Sequence, residues 1–325
     1  NLPANTKAKY KGYKVGVEFP QQDVPFDPYL FGYWLGDGTS AKSCITTADP
    51  EIVDVYKDKL EKYDLNIVRV GNSAYDYAIS TGMKGALPGK WSTKGDRRNL
   101  MLNFLKDYDL LYKKHIPRVF LINDREVRLQ LLAGLIDSDG YLSDSYYEIV
   151  QKTEPLSDDI VFLARSLGFA CYKYEVQKTC TNAPGGPKTG TYYRMSISGR
   201  KLHEIPVILE RKQISVNTAR KDPMVLGITV EYIGEGTYYG FELDGNRRFL
   251  LGDFTVTHNT SLMENLAYYR KHVYPTARVF IGTEDGYKRF CKIFHPLFVS
   301  NYWDEKEEEK HVLRQRTCEM ENGRG

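Results

Sequence analysis

Two stretches of this sequence match each other: residues 131–140 read LLAGLIDSDG, and residues 29–38 read YLFGYWLGDG. Both are apolar runs that end in Asp-Gly and carry small residues at helical spacing, which predicts two buried helices. A glycine inside a helix costs about 1 kcal/mol relative to alanine, and close packing of two backbones would offset that cost. The sequence therefore predicts that the helices pack side by side and bring Asp37 and Asp139 together at one end.

Capping residues predict where the two helices begin. Asp27 suits an N-cap, with Pro28 at the first helical position. Asn123 suits the second N-cap, and Glu126 three residues later completes a possible capping box. The glycine that ends each run is expected to adopt the left-handed conformation that terminates a helix.

The paired aspartates are candidate metal ligands. Two carboxylates at helix C-termini are unfavourable without a cation, because the helix dipole already disfavours negative charge there. Oxygen ligands with free water positions favour Mg²⁺, which can activate water and stabilise the leaving oxygen of a phosphodiester. The alternative is that Asp37 and Asp139 each only cap a turn.

These segments resemble the LAGLIDADG (DOD-type) homing endonucleases, and Leu132–Gly140 differs from the motif that names the family only at Ser138. The first copy is degenerate but keeps the Asp-Gly ending. The resemblance covers roughly residues 27–218 and implies a pseudo-twofold α+β fold, αββαββα twice, acting as a monomer. It also implies two sheets that form a saddle on a long double-stranded DNA target, with Asp37 and Asp139 as the metal ligands.

A strand, a helix and two further strands are predicted after each Asp-Gly. They are placed at residues 43–47, 49–63, 66–70 and 75–80 in the first repeat, and at residues 147–152, 155–167, 170–178 and 192–198 in the second. Outward side chains of the second sheet, such as Lys173, Gln177 and Lys178 or their register partners, would suit phosphates and base edges in a major groove. A solvated sheet face is the alternative.

Basic residues flank the second acidic helix and its sheet. Lys114 lies before that helix, and Arg211 and Lys212 follow the last strand, at places that resemble those where intein endonucleases keep basic residues near the cut. A cation there could stabilise the pentavalent phosphate or tune the attacking water. Lys114 and Lys212 are therefore predicted catalytic residues, with Arg211 as the substitute for Lys212 and a solvated surface charge as the alternative.

The tripeptide His258-Asn259-Thr260 carries a second kind of chemistry. It follows two strand-like runs that flank residues 244–246, which predicts a β-hairpin. An asparagine at a strand end can close a succinimide on its own carbonyl and cut the chain, while a neighbouring imidazole protonates the departing amine. A threonine hydroxyl on the far side is a nucleophile. An ordinary strand end with a polar turn is the alternative.

The longer run resembles the C-terminal splicing blocks of inteins. In this resemblance His258 assists cyclisation, Asn259 cyclises and Thr260 accepts the chain. Two positions depart from the pattern, because Arg247 stands where many inteins have a histidine and Gly240 where they have an aspartate. Since arginine does not exchange protons near neutral pH, splicing is expected to be slower or differently assisted.

The resemblances divide the chain into four parts. Residues 1–26 are interpreted as a remnant of the splicing domain or a linker, and residues 27–218 as the endonuclease. Residues 219–259 are expected to form the all-β C-terminal half of a Hint splicing domain. Residues 260–325 resemble a truncated α/β piece of a packaging-type P-loop ATPase of large DNA viruses, the interrupted host protein, and are not expected to bind ATP.

Composition limits the other possibilities. The net charge of +3 predicts only local basic surfaces, and the five cysteines show no zinc-ligand spacing. Without a signal peptide or a membrane-length apolar run, an intracellular protein of the cytoplasm or nucleus is expected. The sequence thus predicts an intein-encoded, Mg²⁺-dependent DNA endonuclease with asparagine cyclisation. The alternatives are a catalytically degenerate DNA-binding insert and a fragment of a P-loop packaging ATPase.

Overall fold

The structure is a computed structural model, in which the chain divides into two compact units of mixed α and β structure. The first unit comprises residues 1–230 and 252–255, and the second comprises residues 231–251 and 256–325. The residues that the structure describes are 11–81, 99–180, 186–215, 222, 224–229, 248–258, 279–281, 284–302, 306 and 310. The predicted domain boundary between residues 218 and 219 lies outside them, as does the boundary between residues 259 and 260.

A strand and the first repeat open the described chain. Their elements are β1 (Lys11–Tyr13), α1 (Pro28–Asp37), β2 (Cys44–Thr46), α2 (Pro50–Leu60), β3 (Asn66–Arg69), β4 (Asp76–Ser80) and α3 (Leu100–Asp107). The strands form an antiparallel sheet in the order β2-β4-β3. All three predicted strands and the predicted helix between them are confirmed, with ends shifted by a few residues.

The second repeat has the same plan with longer strands. Its elements are α4 (Arg118–Leu121), α5 (Arg125–Asp139), β5 (Gly140–Ser143), β6 (Tyr146–Gln151), α6 (Glu154–Ser166), β7 (Ala170–Cys180) and β8 (Lys188–Ser198). The sheet order is β5-β6-β8-β7, all antiparallel. Strand β5 was not predicted; in the first repeat only an isolated bridge, Gly38 with Ile45, stands in its place.

Helices α1 and α5 pack directly against each other, as the glycine pattern predicted. A methyl group on Gly32 would overlap the main-chain carbonyl of Leu131, and one on Gly134 would overlap that of Tyr29. The two backbones therefore touch where side chains normally intervene. Apolar side chains from both repeats surround this contact and form one continuous core, so the helix pair lies at the centre of the first unit.

The predicted N-cap is confirmed for α1 and wrong for α5. Asp27 is the N-cap of α1, and its carboxylate accepts hydrogen bonds from the first-turn amides. Asp124, not Asn123, caps α5 by accepting from Val127 N at 2.9 Å. The Asn123 side chain is buried and instead bonds the main chain of Gln22 at both its oxygen and its nitrogen. A tertiary contact thus replaces the predicted capping box.

The predicted left-handed helix ends are wrong. Gly38 has φ −82° and Gly140 has φ −78°, both in the extended region. The chain continues straight from each helix into a strand or bridge, so no reversal is needed. Glycine is required there for space instead, because a methyl group on Gly38 would overlap the carbonyl of Trp34 and one on Gly140 would lie 2.6 Å from that of Ile136.

Short strands and turns complete the described chain. They are the 3₁₀ turns Leu202–Glu204 and Glu210–Lys212, β9 (Val225–Gly227), β10 (Arg248–Leu250), β11 (Val256–His258), β12 (Val279–Phe280), α7 (Glu284–Phe290), the 3₁₀ turn Pro296–Phe298 and β13 (Val299–Ser300). Strand β9 pairs with β1, and β12 pairs with β13 in parallel. The turn of the hairpin predicted at residues 244–246 lies outside the described residues. The run after that turn, predicted as one strand, instead contains two short strands, β10 and β11, which pair with each other.

A buried arginine fastens the segment before the first repeat to the second repeat. Arg128 of α5 is fully buried and donates to Val17 O at 2.7 Å and to Ser166 Oγ at 2.8 Å.

Within the described residues, no helix is both long and apolar enough to cross a lipid bilayer.

Candidate active site

The C-terminal ends of α1 and α5 bring Asp37 and Asp139 together, as predicted. An ideal Cβ on Gly36 would lie 3.2 Å from the carboxyl carbon of Asp139. Burial and the negative charge of Asp139 raise the pKa of Asp37 to about 6. Burial also raises the pKa of Asp139. Two aspartates held together in this way favour a bound cation or proton.

Lys114 enters the site next to the end of α1. Its ammonium donates to the carbonyl oxygens of Leu35, Gly36 and Gly38 at 3.0, 3.1 and 2.7 Å, and lies 4.9 Å from the centre of the Trp34 ring. These carbonyls belong to the negative end of the helix dipole, where a cation is stabilising. Burial lowers the pKa of Lys114 to about 8, against the opposing effect of the two aspartates.

Lys212 makes the corresponding contacts at the end of α5. Its ammonium donates to the carbonyl oxygens of Ile136, Asp137 and Ser138 at 2.8, 2.8 and 3.1 Å. Burial lowers the pKa of this lysine as well. The two lysines therefore occupy equivalent positions in the two repeats, each bonded to three carbonyls at the end of one acidic helix. Both residues predicted from the sequence lie in the site.

Both lysines act on both aspartates. The positive charges of Lys114 and Lys212 oppose the rise in pKa that burial causes at Asp37 and at Asp139. The site consists of two aspartates and two lysines around one helix contact.

Gln151 is a site residue that the sequence did not reveal. It lies at the end of β6, and its side-chain nitrogen donates to Asp139 Oδ2 at 2.6 Å. Its polarity on an otherwise apolar strand face, which also carries Tyr147 and Ile149, is a signal that could have indicated a role. Gln151 fixes the orientation of one carboxylate.

Asp137 is the second residue that sequence reasoning did not assign. It is 2% exposed, and its Oδ2 accepts from Tyr29 OH at 2.8 Å and from Ile208 N at 2.7 Å. Its Oδ1 accepts from Leu209 N at 3.3 Å. Burial raises its pKa. The motif predicted a role for the neighbouring Asp139 but none for Asp137.

Arg211, the predicted substitute for Lys212, binds elsewhere. Its guanidinium donates to both carboxylate oxygens of Asp49 at 2.7 Å. This pair raises the pKa of Arg211 and lowers that of Asp49. Arg211 and Asp49 line a cavity of about 270 Å³ that also reaches Asp37. The side chain that enters the aspartate pair is that of Lys212.

Lys173 and Gln177 do not lie on the predicted face of the second sheet. Lys173 lies opposite Met195 and shares its face with the buried residues Cys171 and Ile197, since directly paired residues point to the same side. Its ammonium pairs with Glu154 and Asp158 of α6. Gln177 has the same parity along the strand and so lies on that face too.

The open face carries the alternate residues. It includes Tyr141, Tyr172, Tyr174, Lys178 and Arg194, all exposed or half-exposed. Lys178 is thus on the open face as predicted, whereas the predictions for Lys173 and Gln177 are wrong by one position.

The open face of the first sheet has a different composition. It consists of Cys44, Thr46, Asn66, Val68, Asp76, Ala78 and Ser80. This face has no basic side chain among the described residues, whereas that of the second sheet carries Lys178 and Arg194.

The splicing residues are described only in part. His258 is the last residue of β11 and is paired in register with Arg248. Asn259, Thr260, Arg247 and Gly240 lie outside the described residues. Their predicted roles stay predictions.

The two aspartates are the donor set that the site offers to a metal ion. In the described parts of the chain, no cluster of three or more His, Cys, Asp or Glu side chains is placed to hold a metal. Mg²⁺ is commonly bound through one or two carboxylates, with waters and substrate phosphates completing the octahedron. Asp37 and Asp139 meet that requirement, since they are hard oxygen donors at one point. The residues present therefore fit a divalent cation shared with a phosphate.

Part of the chain matches a known protein family, and longer stretches are similar to curated proteins. Residues 115–205 match the family described as homing endonuclease. The homothallic switching endonuclease of Saccharomyces cerevisiae is 28% identical over 258 residues, which is 69% of this chain and 42% of that protein. The replicative DNA helicase DnaB of Mycobacterium intracellulare is 31% identical over 156 residues, covering 48% of this chain and 21% of the helicase. The chain spans less than half the length of these relatives.

Solved structures of the homing endonuclease I-DmoI are also similar. One of mesophilic variants is 15% identical and covers 57% of this chain and 95% of its own, with a TM-score of 0.35. Another structure, described as I-DmoI in complex with DNA and Mn, is 16% identical. It covers 54% of this chain and 89% of its own, with a TM-score of 0.32. These TM-scores are too low to establish a shared fold.

Proposed function

We propose that this chain, which matches the homing endonuclease family over residues 115–205, is a LAGLIDADG-type DNA endonuclease that makes site-specific double-strand breaks. One observation carries the proposal: two half-buried aspartates meet at the ends of paired helices, beside one half-buried and one buried lysine, Lys114 and Lys212. Such an arrangement suits hydrolysis of two phosphodiesters by one chain acting as a monomer.

The side chains have separate roles in this reaction. Asp37 and Asp139 would hold the divalent cation. Their carboxylate oxygens are ligands that favour Mg²⁺. When bound, the cation supplies a Lewis acid that makes water more acidic and offsets the charge of the phosphate. Lys114 and Lys212 place positive charge beside the reacting phosphates. Because burial lowers the pKa of Lys114 to about 8, this lysine can also exchange a proton with the attacking water near neutral pH.

The equivalent positions of the two lysines suggest one lysine for each strand. Lys212 at the end of α5 would serve one cut, and Lys114 at the end of α1 the other. Gln151 orients only Asp139 among the contacts described. The two cuts therefore need not be equally fast.

The open faces of the sheets are the proposed DNA-binding surface. Lys178 and Arg194 would contact phosphates or base edges, and exposed Tyr174 offers a ring for apolar contact. The first sheet, with small neutral side chains and Asp76, would contact the other half of the target. This difference in chemistry supports a target whose two halves differ in sequence.

The C-terminal part is proposed to be the end of an intein. Asn259 would cyclise with assistance from His258, and Thr260 would be the first residue of the host protein, which resembles a packaging-type P-loop ATPase. The support is the sequence of the run and the pairing of the strand that ends at His258.

The endonuclease is tested with a plasmid that carries the host reading frame without the insert, running directly into the codon for Thr260. The protein should linearise this plasmid with Mg²⁺ and leave it intact with EDTA. Asp139→Asn should reduce cleavage at least about 100-fold, because a metal ligand is lost. Asp54→Asn, an exposed aspartate on α2, is the matched control and should cut like the wild type.

Two outcomes would contradict the proposal. Binding of this plasmid without any cleavage would identify a catalytically degenerate DNA-binding insert. Undiminished cleavage by the Asp139→Asn variant would show that the strand breaks come from another site or from a contaminant.

A further inference from the structure

We propose that Asp137 is a positioning residue that holds Lys212 in place and thereby sets the cutting rate of one DNA strand. The inference rests on the proposed endonuclease function. The Asp137 carboxylate accepts three hydrogen bonds, one from Tyr29 OH and two from the main-chain amides of Ile208 and Leu209.

The two main-chain bonds bear on the short turn that carries Lys212. Lys212 N donates to Leu209 O at 2.8 Å and closes the 3₁₀ turn Glu210–Lys212. Leu209 is thus bonded on one side to Asp137 and on the other to Lys212. Fixing residues 208 and 209 therefore fixes the start of the turn and the direction from which the lysine enters the site.

The far end of the turn is held separately. Tyr147 OH donates to Lys212 O at 2.7 Å. With both ends of the turn anchored, the Lys212 ammonium reaches the three carbonyls at the end of α5. Tyr29 OH donates to Asp137 and keeps its carboxylate turned toward the amides.

Helix packing alone does not explain a carboxylate at this position. Burying a carboxylate is costly unless its oxygens are hydrogen-bonded. The corresponding residue of the first repeat is Leu35, which is 1% exposed and makes the same helix contact with an apolar side chain. An aspartate is needed at position 137 only for its hydrogen bonds, and two of the three go to the segment before Lys212.

The segment that carries Lys114 has a different anchor. Ile116 N donates to Asp159 Oδ2 at 2.8 Å, two residues after the lysine. The two catalytic lysines are thus held by two separate carboxylates, one on α5 and one on α6. Each carboxylate can be changed without touching the other lysine, which makes a comparison within one protein possible.

The test measures the cleavage rate of each strand separately. The substrate is the duplex of the host reading frame without the insert, labelled with a different dye on each 5′ end. Lys114→Met and Lys212→Met first identify which strand depends on which lysine. Asp137→Asn should then slow the Lys212-dependent strand about tenfold more than the other, because a small misplacement of a catalytic group has a large effect on rate.

Matched variants separate positioning from loss of stability. Asp159→Asn should slow the Lys114-dependent strand instead. Ile79→Val, a buried change on β4, an element that carries neither anchor, should leave the ratio of the two rates unchanged. Tyr29→Phe, which removes a donor but keeps the carboxylate, should shift the ratio in the same direction as Asp137→Asn and by less, and it serves if Asp137→Asn does not fold.

A readout without DNA tests the anchor itself. Amide hydrogen exchange at Ile208 and Leu209 should become at least tenfold faster in Asp137→Asn and stay unchanged in Asp159→Asn. Equal slowing of both strands by Asp137→Asn, or unchanged exchange at these amides, would overturn the inference. Absence of cleavage by the wild type, or no effect of either lysine change, would contradict the proposed function instead.

Discussion

At the scale of single residues, holding the Asp37 and Asp139 carboxylates close together costs electrostatic free energy. Asp37 and Asp139 are held together and partly out of water, so the ionised form of each is disfavoured without a cation. This cost is imposed by the fold, because the carboxylates are attached to helices whose backbones touch. Binding a divalent ion would remove it, which couples metal binding to stability.

The pH dependence of this cost gives a prediction. The folded-state pKa of Asp37, about 6, lies above its ordinary value of 3.8. The folded protein therefore holds a proton that the unfolded chain has released, and the stability of the metal-free protein falls as pH rises between these values. Asp37→Asn removes the effect. It should stabilise the protein at pH 7 by about 1–2 kcal/mol.

Urea unfolding in EDTA, followed at several pH values, measures this difference. The gain should become small as the pH falls below 3.8, where the unfolded state of the wild type also becomes protonated. A gain of equal size at pH 3.5 and pH 7 would show that Asp37 is stabilised by something other than its raised pKa. With saturating Mg²⁺ the advantage should shrink or reverse, since only the wild type has both ligands.

At this scale the sequence predicted which four side chains would lie near each other, and it failed where the answer depended on strand register. Asp37, Asp139, Lys114 and Lys212 meet in one site because helix ends and segment order determine their places. Lys173 was assigned to the wrong face, since a shift of one residue in a strand reverses its side chains.

At the scale of elements, the contact between α1 and α5 organises the first unit. Gly32 and Gly134 each face a main-chain carbonyl of the opposite helix, so neither has room for a side chain. The repeat of small residues made this packing predictable. The extended ends of both helices were not predictable, because they follow from the strand or bridge that comes next.

Filling this contact should be destabilising. Gly134→Ala places a methyl group against the carbonyl of Tyr29, and the helices must separate to admit it. We expect a loss of about 2–3 kcal/mol in unfolding free energy. Gly227→Ala is the matched control, since open space surrounds a methyl group there. Equal effects of the two substitutions would contradict the close packing of α1 and α5.

The open sheet face gives a second prediction at this scale. Lys178→Ala should weaken DNA binding and reduce the slope of log Kd against log salt by about 0.9, which corresponds to one lost phosphate contact. Lys173→Ala, on the opposite face and paired with α6, should leave the slope unchanged. Binding titrations in Ca²⁺ at several salt concentrations measure both. A reduced slope for Lys173→Ala alone would place the DNA on the other face.

At the scale of the whole molecule, two chemistries are proposed for one chain. Strand cutting belongs to the first compact unit, which holds Asp37, Asp139, Lys114 and Lys212. Splicing belongs to residues around the end of β11, of which only His258 is among the described residues. The resemblance to intein blocks was readable from the sequence, whereas the arrangement of those residues was not.

Cleavage of the peptide bond between Asn259 and Thr260 tests the splicing proposal independently. The full chain should slowly release the fragment that begins at Thr260, because cyclisation of Asn259 breaks the following peptide bond. Asn259→Ala should abolish this release and leave DNA cutting unchanged. Mass spectrometry of the fragments, over a day at neutral pH, distinguishes cyclisation from proteolysis by the succinimide left at residue 259. Release that persists in Asn259→Ala would show the assignment is wrong.

The touching helices also bear on how such a protein can change over time. The helix pair carries the candidate active site and also joins the two repeats. A substitution there would therefore change both the chemistry of the site and the stability of the fold. The open sheet faces, which are proposed to contact the target, can vary without disturbing that pair. New target preferences should therefore arise by drift on the sheets, and attempts to re-engineer this protein should leave Gly32 and Gly134 untouched.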